Sequence, residues 1–118
     1  MINQKNENAL QHWLFIRLTA LSLIPLGICF VVSLIQLPFG GYKAVCAWLG
    51  ESVTAILMMI FVLATLYHAA AGMKEVYIDY IHSPRLLRVI SYITYALAVI
   101  LAIIAVSSIF SIWYTPLK

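Results

Sequence analysis

Tyr67-His-Ala-Ala-Ala-Gly-Met-Lys-Glu-Val-Tyr-Ile-Asp-Tyr80 begins as apolar helix of membrane grade and ends among charged and aromatic residues. At 100° per residue, Gly72, Glu75 and Asp79 fall within about 40° of His68, so the four form one stripe on a helix face. Asp79 lies eleven residues after His68, roughly 16 Å along the axis at 1.5 Å per residue. An ionisable residue on an intramembrane helix marks a candidate functional site, because its desolvation must be offset by a partner. This stretch therefore sets both the solvent of the chain and the place to look for chemistry.

The rest of the sequence agrees with lipid as the solvent. The chain has 118 residues, 64% hydrophobic and 9% charged, with a mean hydropathy of +1.02. No water-soluble domain of this length has interior enough to hide so much apolar surface. The chain reads as a single all-α membrane domain of three spans, with no room for a soluble catalytic domain. The net charge of +3 does not point to nucleic acid, since the cations flank hydrophobic runs and report topology instead. Cys29 and Cys46 have neither a CxxC nor a metal-ligand spacing, and they read as two inert thiols, one in lipid and one near a surface. Neither a cleavable signal nor an Arg- and Ser-rich transit peptide stands out, which favours a bacterial or organelle-encoded product.

Outward from the central stretch, the boundaries are set by turn and interface residues. Residues 1–11 are polar and read as a mobile tail. Trp13 anchors the interface, Arg17 stands at the entry of the first span (about residues 18–37), and Pro25 lies inside it. Pro25 removes the hydrogen bond to the Leu21 carbonyl and is expected to kink the helix, with Ser22 or Thr19 available to satisfy freed backbone groups. Pro38-Phe-Gly-Gly41 is a stop-and-turn signal, followed by a loop with Lys43 and re-entry at Trp48. The second span covers about residues 53–73, its helix running on to Asp79 or Tyr80 before Ser83-Pro84 ends it. The third covers about residues 89–112 and closes at Trp113-Tyr114 and Pro116. Lys5, Arg17, Lys74, Arg85 and Arg88 lie on one side, against Lys43 and Lys118 on the other, which predicts the N-terminus inside and the C-terminus outside.

His68 sits about 9 Å inside the Lys74 boundary, beyond the reach of interfacial water. A neutral imidazole there requires a hydrogen bond or a metal. Gly72 and the alanines at 64, 69, 70 and 71 leave room for a flat macrocycle, and equally for a closely packed helix. Residue chemistry thus leaves two readings open: haem ligation, or an interhelical hydrogen bond. His12 and His82 belong to the interface, so a second axial histidine would come from another subunit or a second copy. Asp79 and Tyr80 allow a phenol donating to a quinone carbonyl beside a proton-delivering carboxylate, or an ordinary interfacial pair. Arg17 divides between pairing with an anionic group such as a haem propionate and snorkelling to headgroups. Glu75 reads as solvated. Met58, Met59, Met73, Tyr92 and Tyr95 read as packing or belt residues.

Taken together, His68, Gly72, Asp79 and Tyr80 at this separation resemble the signature of the small hydrophobic anchor subunit of succinate dehydrogenase, respiratory complex II. The Arg17-Leu-Thr-Ala20 entry and the three spans are similar to that family too, and the resemblance covers nearly the whole chain. The larger anchor subunit of that complex carries an Arg-His-Leu run after its haem-ligand motif. Here Gly72 is followed by Met73-Lys74-Glu75, which looks like the smaller partner.

The resemblance implies that His68 is one axial ligand of a b-type haem whose other ligand comes from a cytochrome b anchor subunit, the two anchors packing into one helical bundle. It implies that Tyr80 hydrogen-bonds ubiquinone, that Asp79 lies close by, and that Arg17 lies near the haem propionates or quinone pocket. Flavoprotein and iron–sulfur subunits would complete the complex, in a bacterial inner membrane or, if organelle-encoded, the mitochondrial one. The chain would catalyse nothing alone. Two rivals stay open: an anchor of another quinone-linked complex such as fumarate reductase, and a cofactor-free membrane scaffold in which His68 only bonds a neighbouring helix.

Overall fold

The computed structural model describes residues 2–37 and 40–115. They form four helices: α1 (Ile2–Gln36), α2 (Gly41–Leu49), α3 (Ser52–Tyr80) and α4 (Pro84–Tyr114). No strand occurs among the described residues. Helices α1, α3 and α4 are long and apolar enough to cross a membrane. At 1.5 Å per residue they run roughly 52, 43 and 46 Å, more than the roughly 30 Å of a hydrocarbon core, so their ends project into the interfaces. The all-α, three-span architecture expected from the sequence is the one observed, in a body of 56 × 25 × 24 Å.

Helix α3 is the middle of the structure. Both α1 and α4 pack on it, α2 touches α3 and α4, and α1 and α4 do not meet among the described residues. The angular positions along α3 explain this order. Tyr77 is nine residues from His68, which is about 180° around the helix. His68 faces α1, where its ring meets Thr19, and Tyr77 faces α4, where its hydroxyl lies 3.1 Å from that of Thr94. Ala70, in line with Tyr77, is buried, and so are Ala55 and Ala71. Small side chains at these positions let neighbouring backbones approach closely, which in lipid replaces the hydrophobic drive for packing. At the other end, Trp113 Nε1–H donates to Ser52 Oγ at 3.1 Å, a second tie between α4 and α3.

The remaining large apolar side chains face outward. Leu21, Ile35 and Ile103 are more than 60% exposed, and no charged side chain is buried among the described residues. That is an inverted soluble protein, with lipid in place of a core. The start of α4 follows from Pro84: proline at the first helical position forfeits a hydrogen bond that no helix makes there, and Ser83 before it is extended, φ −85° and ψ 116°.

The structure differs from the sequence reading at three places. Residues 2–11, expected as a mobile tail, are the first turns of α1. A helix already nucleated by a membrane span needs only propagation to lengthen, and nothing in residues 2–11 is a glycine or proline that would stop it. The segment expected as a loop around Lys43 contains α2, begun at Gly41, whose φ of +66° is strained for any other residue. Its Cys46 is buried, and both cysteines are free. Finally, neither hydroxyl expected to serve the carbonyl freed by Pro25 reaches Leu21. Thr19 bonds to the carbonyls of Phe15 and Ile16, and Ser22 to that of Thr19, because a side-chain hydroxyl in a helix folds back onto its own preceding turn. Pro38, Phe39, Pro116 and Lys118, used above as turn, stop and charge signals, lie outside the described residues.

Candidate functional site

The seam between α1 and α3 carries the histidine. Thr19 Oγ1 and His68 Nδ1 lie 3.3 Å apart, and His12 Nε2 lies 3.5 Å from Glu75 Oε1. Both pairs are separated by seven residues on each helix, two turns, running in opposite directions. The seam is therefore antiparallel with one repeating face. Part of the stripe read from the sequence is thus the surface on which α1 lies. Phe15 and Tyr67 meet edge to face at 6.4 Å beside it, and Phe30 and Phe61 close the other half of the seam at 5.1 Å.

His68 is half-buried and engages the protein through Nδ1; Nε2 has no hydrogen-bond partner among the described residues. The interhelical hydrogen bond and the metal ligand, alternatives in the sequence reading, use different nitrogens and are compatible. One turn further, a methyl placed on Gly72 would meet no atom within 4 Å. The surface of α3 at Gly72, one turn from His68 on the same stripe, is therefore open.

Asp79 and Tyr80 stand at the C-terminal end of α3. Tyr80 is the last residue of the helix, 80% exposed, and neither side chain has a partner among the described residues. The pair is offered outward to whatever lies beyond the end of α3. Arg17 is not brought to His68. It stands two residues from Thr19, about 200° around α1, and its guanidinium lies over the Trp13 ring at 4.6 Å from the centroid, a cation–π contact at the interface. Glu75 is 58% exposed, in agreement with a solvated role, but it faces His12.

Sequence reasoning missed two features. One is Thr19, visible only as a backbone-satisfying hydroxyl until α1 is laid on α3. The other is a groove of about 390 Å³ between the C-terminal part of α3 and the N-terminal part of α4, lined by Lys74, Arg88, Ser91, Tyr92 and Tyr95 among others. Ser91 Oγ is buried there without a partner. Two cations and two phenols at one groove would have been legible only had the register of α3 on α4 been known.

Residues 4–107 match the sequence model of one protein family, the succinate dehydrogenase/fumarate reductase transmembrane subunit. The chain belongs to that family. The matched region contains Arg17, Thr19, His68, Gly72, Asp79 and Tyr80, so every candidate residue of the site lies within it. Comparisons with curated proteins and with solved structures give no match. Family and fold together make this a multi-pass membrane subunit of a respiratory complex whose members work with partner subunits.

Proposed function

We propose that this chain is the small membrane anchor of succinate:ubiquinone oxidoreductase, docking the flavoprotein and iron–sulfur subunits beside a cytochrome b anchor in a bacterial inner membrane. The observation that carries the reading is His68: inside the matched region, it spends Nδ1 on α1 and keeps Nε2 without a partner among the described residues, one turn from the open surface at Gly72. A nitrogen with a bare lone pair, its opposite N–H anchored, is the usual arrangement of a metal-binding histidine.

When bound, a b-type haem supplies one-electron chemistry within the membrane. This chain would hold it through His68 Nε2, and the partner anchor would supply the other histidine. The residues of α1 and α3 exclude water from the seam and fix the ring. At the end of α3, the Tyr80 hydroxyl donates a hydrogen bond to a carbonyl oxygen of ubiquinone and polarises it toward reduction. Asp79, exposed beside it, exchanges protons with water on the same side and can return them to the quinone oxygens. The excess of Lys and Arg at the end carrying Asp79 and Tyr80 puts that end inside, the side on which the peripheral subunits would dock. Arg17, held over Trp13, serves the interface in this reading; contact with a propionate would need it to leave that ring.

The test is a dithionite-reduced-minus-oxidised spectrum of the complex, co-expressed with its partner subunits, for wild type and His68→Ala. A b-type band lost or shifted in the variant is the expected result. A wild-type complex that assembles without haem would overturn the haem assignment. A fumarate reductase anchor is separated by the bound haem and by the quinone that the assembled complex prefers.

A further inference from the structure

The proton on His68 is placed by the hydrogen bonds of Thr19. Thr19 Oγ1 lies 2.9 Å from the carbonyl oxygen of Phe15 and 2.9 Å from that of Ile16. A hydroxyl has one hydrogen, and both of these acceptors sit on the preceding turn of α1. What Oγ1 presents to α3 is a lone pair, and His68 Nδ1 is 3.3 Å from it. We infer that Thr19 is a positioning residue that accepts a hydrogen bond from His68 Nδ1–H, and so holds the ring in the tautomer whose Nε2 is bare.

The opposite tautomer loses twice. Thr19 would have to turn its hydrogen away from the α1 carbonyls to reach a bare Nδ1. Nε2–H would become a donor with no acceptor among the described residues, in apolar surroundings where such a group is costly. The β-branched side chain adds rigidity, because in a helix Thr has few χ1 states and the one that bonds backward aims Oγ1 at a fixed place. Thr19 also explains why the ring is oriented before any ligand arrives: Nδ1 is tied to α1, and Nε2, on the far side of the imidazole, is the nitrogen left for coordination.

The consequence for iron rests on the haem reading above; the tautomer does not. A hydrogen bond accepted from Nδ1–H makes the imidazole a stronger electron donor and favours the oxidised metal. Removing it raises the midpoint potential.

Two measurements separate the claims. The first uses the full chain without haem, labelled with ¹⁵N-histidine in lipid bicelles at a pH where the ring is neutral. The His68 signals are assigned by their loss in His68→Ala. Wild type and Thr19→Ser are expected to carry the proton on Nδ1, and Thr19→Val to shift several-fold toward Nε2–H. Nε2–H in wild type, or the wild-type distribution in Thr19→Val, overturns the inference. Should Thr19→Val not fold, the wild-type and Thr19→Ser spectra still decide. The second measurement titrates the haem potential in the assembled complex. A higher potential in Thr19→Val, restored by Thr19→Ser, supports the positioning role, and an unchanged one overturns it. A wild-type complex that lacks haem while His68 keeps Nδ1–H removes the haem reading and leaves the role of Thr19 standing.

Discussion

Tyr77 and Thr94 provide the polar tie nearest the C-terminal end of α3, three residues before Tyr80, and the structure sets how much each half is worth. Their oxygens lie 3.1 Å apart. Thr94 Oγ1 also donates to the carbonyl of Ile90 at 3.0 Å, so its hydrogen is engaged and the Tyr77 hydroxyl is the donor. Tyr77→Phe removes that donor and leaves Thr94 its backbone bond. The expected cost is about 0.6 kcal/mol, the average for interhelical hydrogen bonds in lipid, where the unfolded chain finds partners too. Thr94→Val keeps the shape but strands a half-buried phenol O–H, which raises the cost to about 1–2 kcal/mol. The double variant has no stranded donor, so its total cost should return to about 0.6 kcal/mol, close to a threefold change in the unfolding constant, which makes the coupling energy about 1–2 kcal/mol. The assay is equilibrium unfolding of the full chain in mixed micelles of rising SDS fraction, followed by helicity. Tyr77→Phe costing more than Thr94→Val, or a coupling of zero, would refute the donor assignment.

Ala71 is 0% exposed, so Ala71→Leu overpacks α3 and should destabilise by about 1–3 kcal/mol in the same unfolding assay; a neutral result would mean the helices part there at no cost. Gly72→Ala meets open space and should leave the fold unchanged or stabilise it by about 0.5–1 kcal/mol through helix propensity. It should also lower haem occupancy in the complex, measured as haem per protein, if the macrocycle lies against that surface. Tyr80→Phe should slow quinone reduction several-fold while sparing haem content and assembly, since the side chain is 80% exposed and bonds nothing in the fold; normal quinone kinetics would remove Tyr80 from the site.

The sequence by itself determined the solvent, the number of spans and the stripe from His68 to Asp79. These are local consequences of composition and of a 3.6-residue period, which lipid leaves little freedom to change. It also placed Asp79 and Tyr80 at the end of α3, because Ser83-Pro84 stops that helix whatever surrounds it. Tertiary structure decided what the stripe touches. That α3 is central, that α1 covers His68 and Glu75 while α4 takes the opposite face, and that Thr19 meets Nδ1 all depend on helix order and register. Register in a membrane is fixed by side-chain fit between helices and not by burial from water, so hydropathy carries no record of it. Hydropathy likewise could not show α2, too short to span, or a helix continuing through polar residues 2–11. The free nitrogen of His68 belongs to the same class of fact: a sequence can place an imidazole in the bilayer, but only the packing of α1 on α3 says which of its two nitrogens is left to bind.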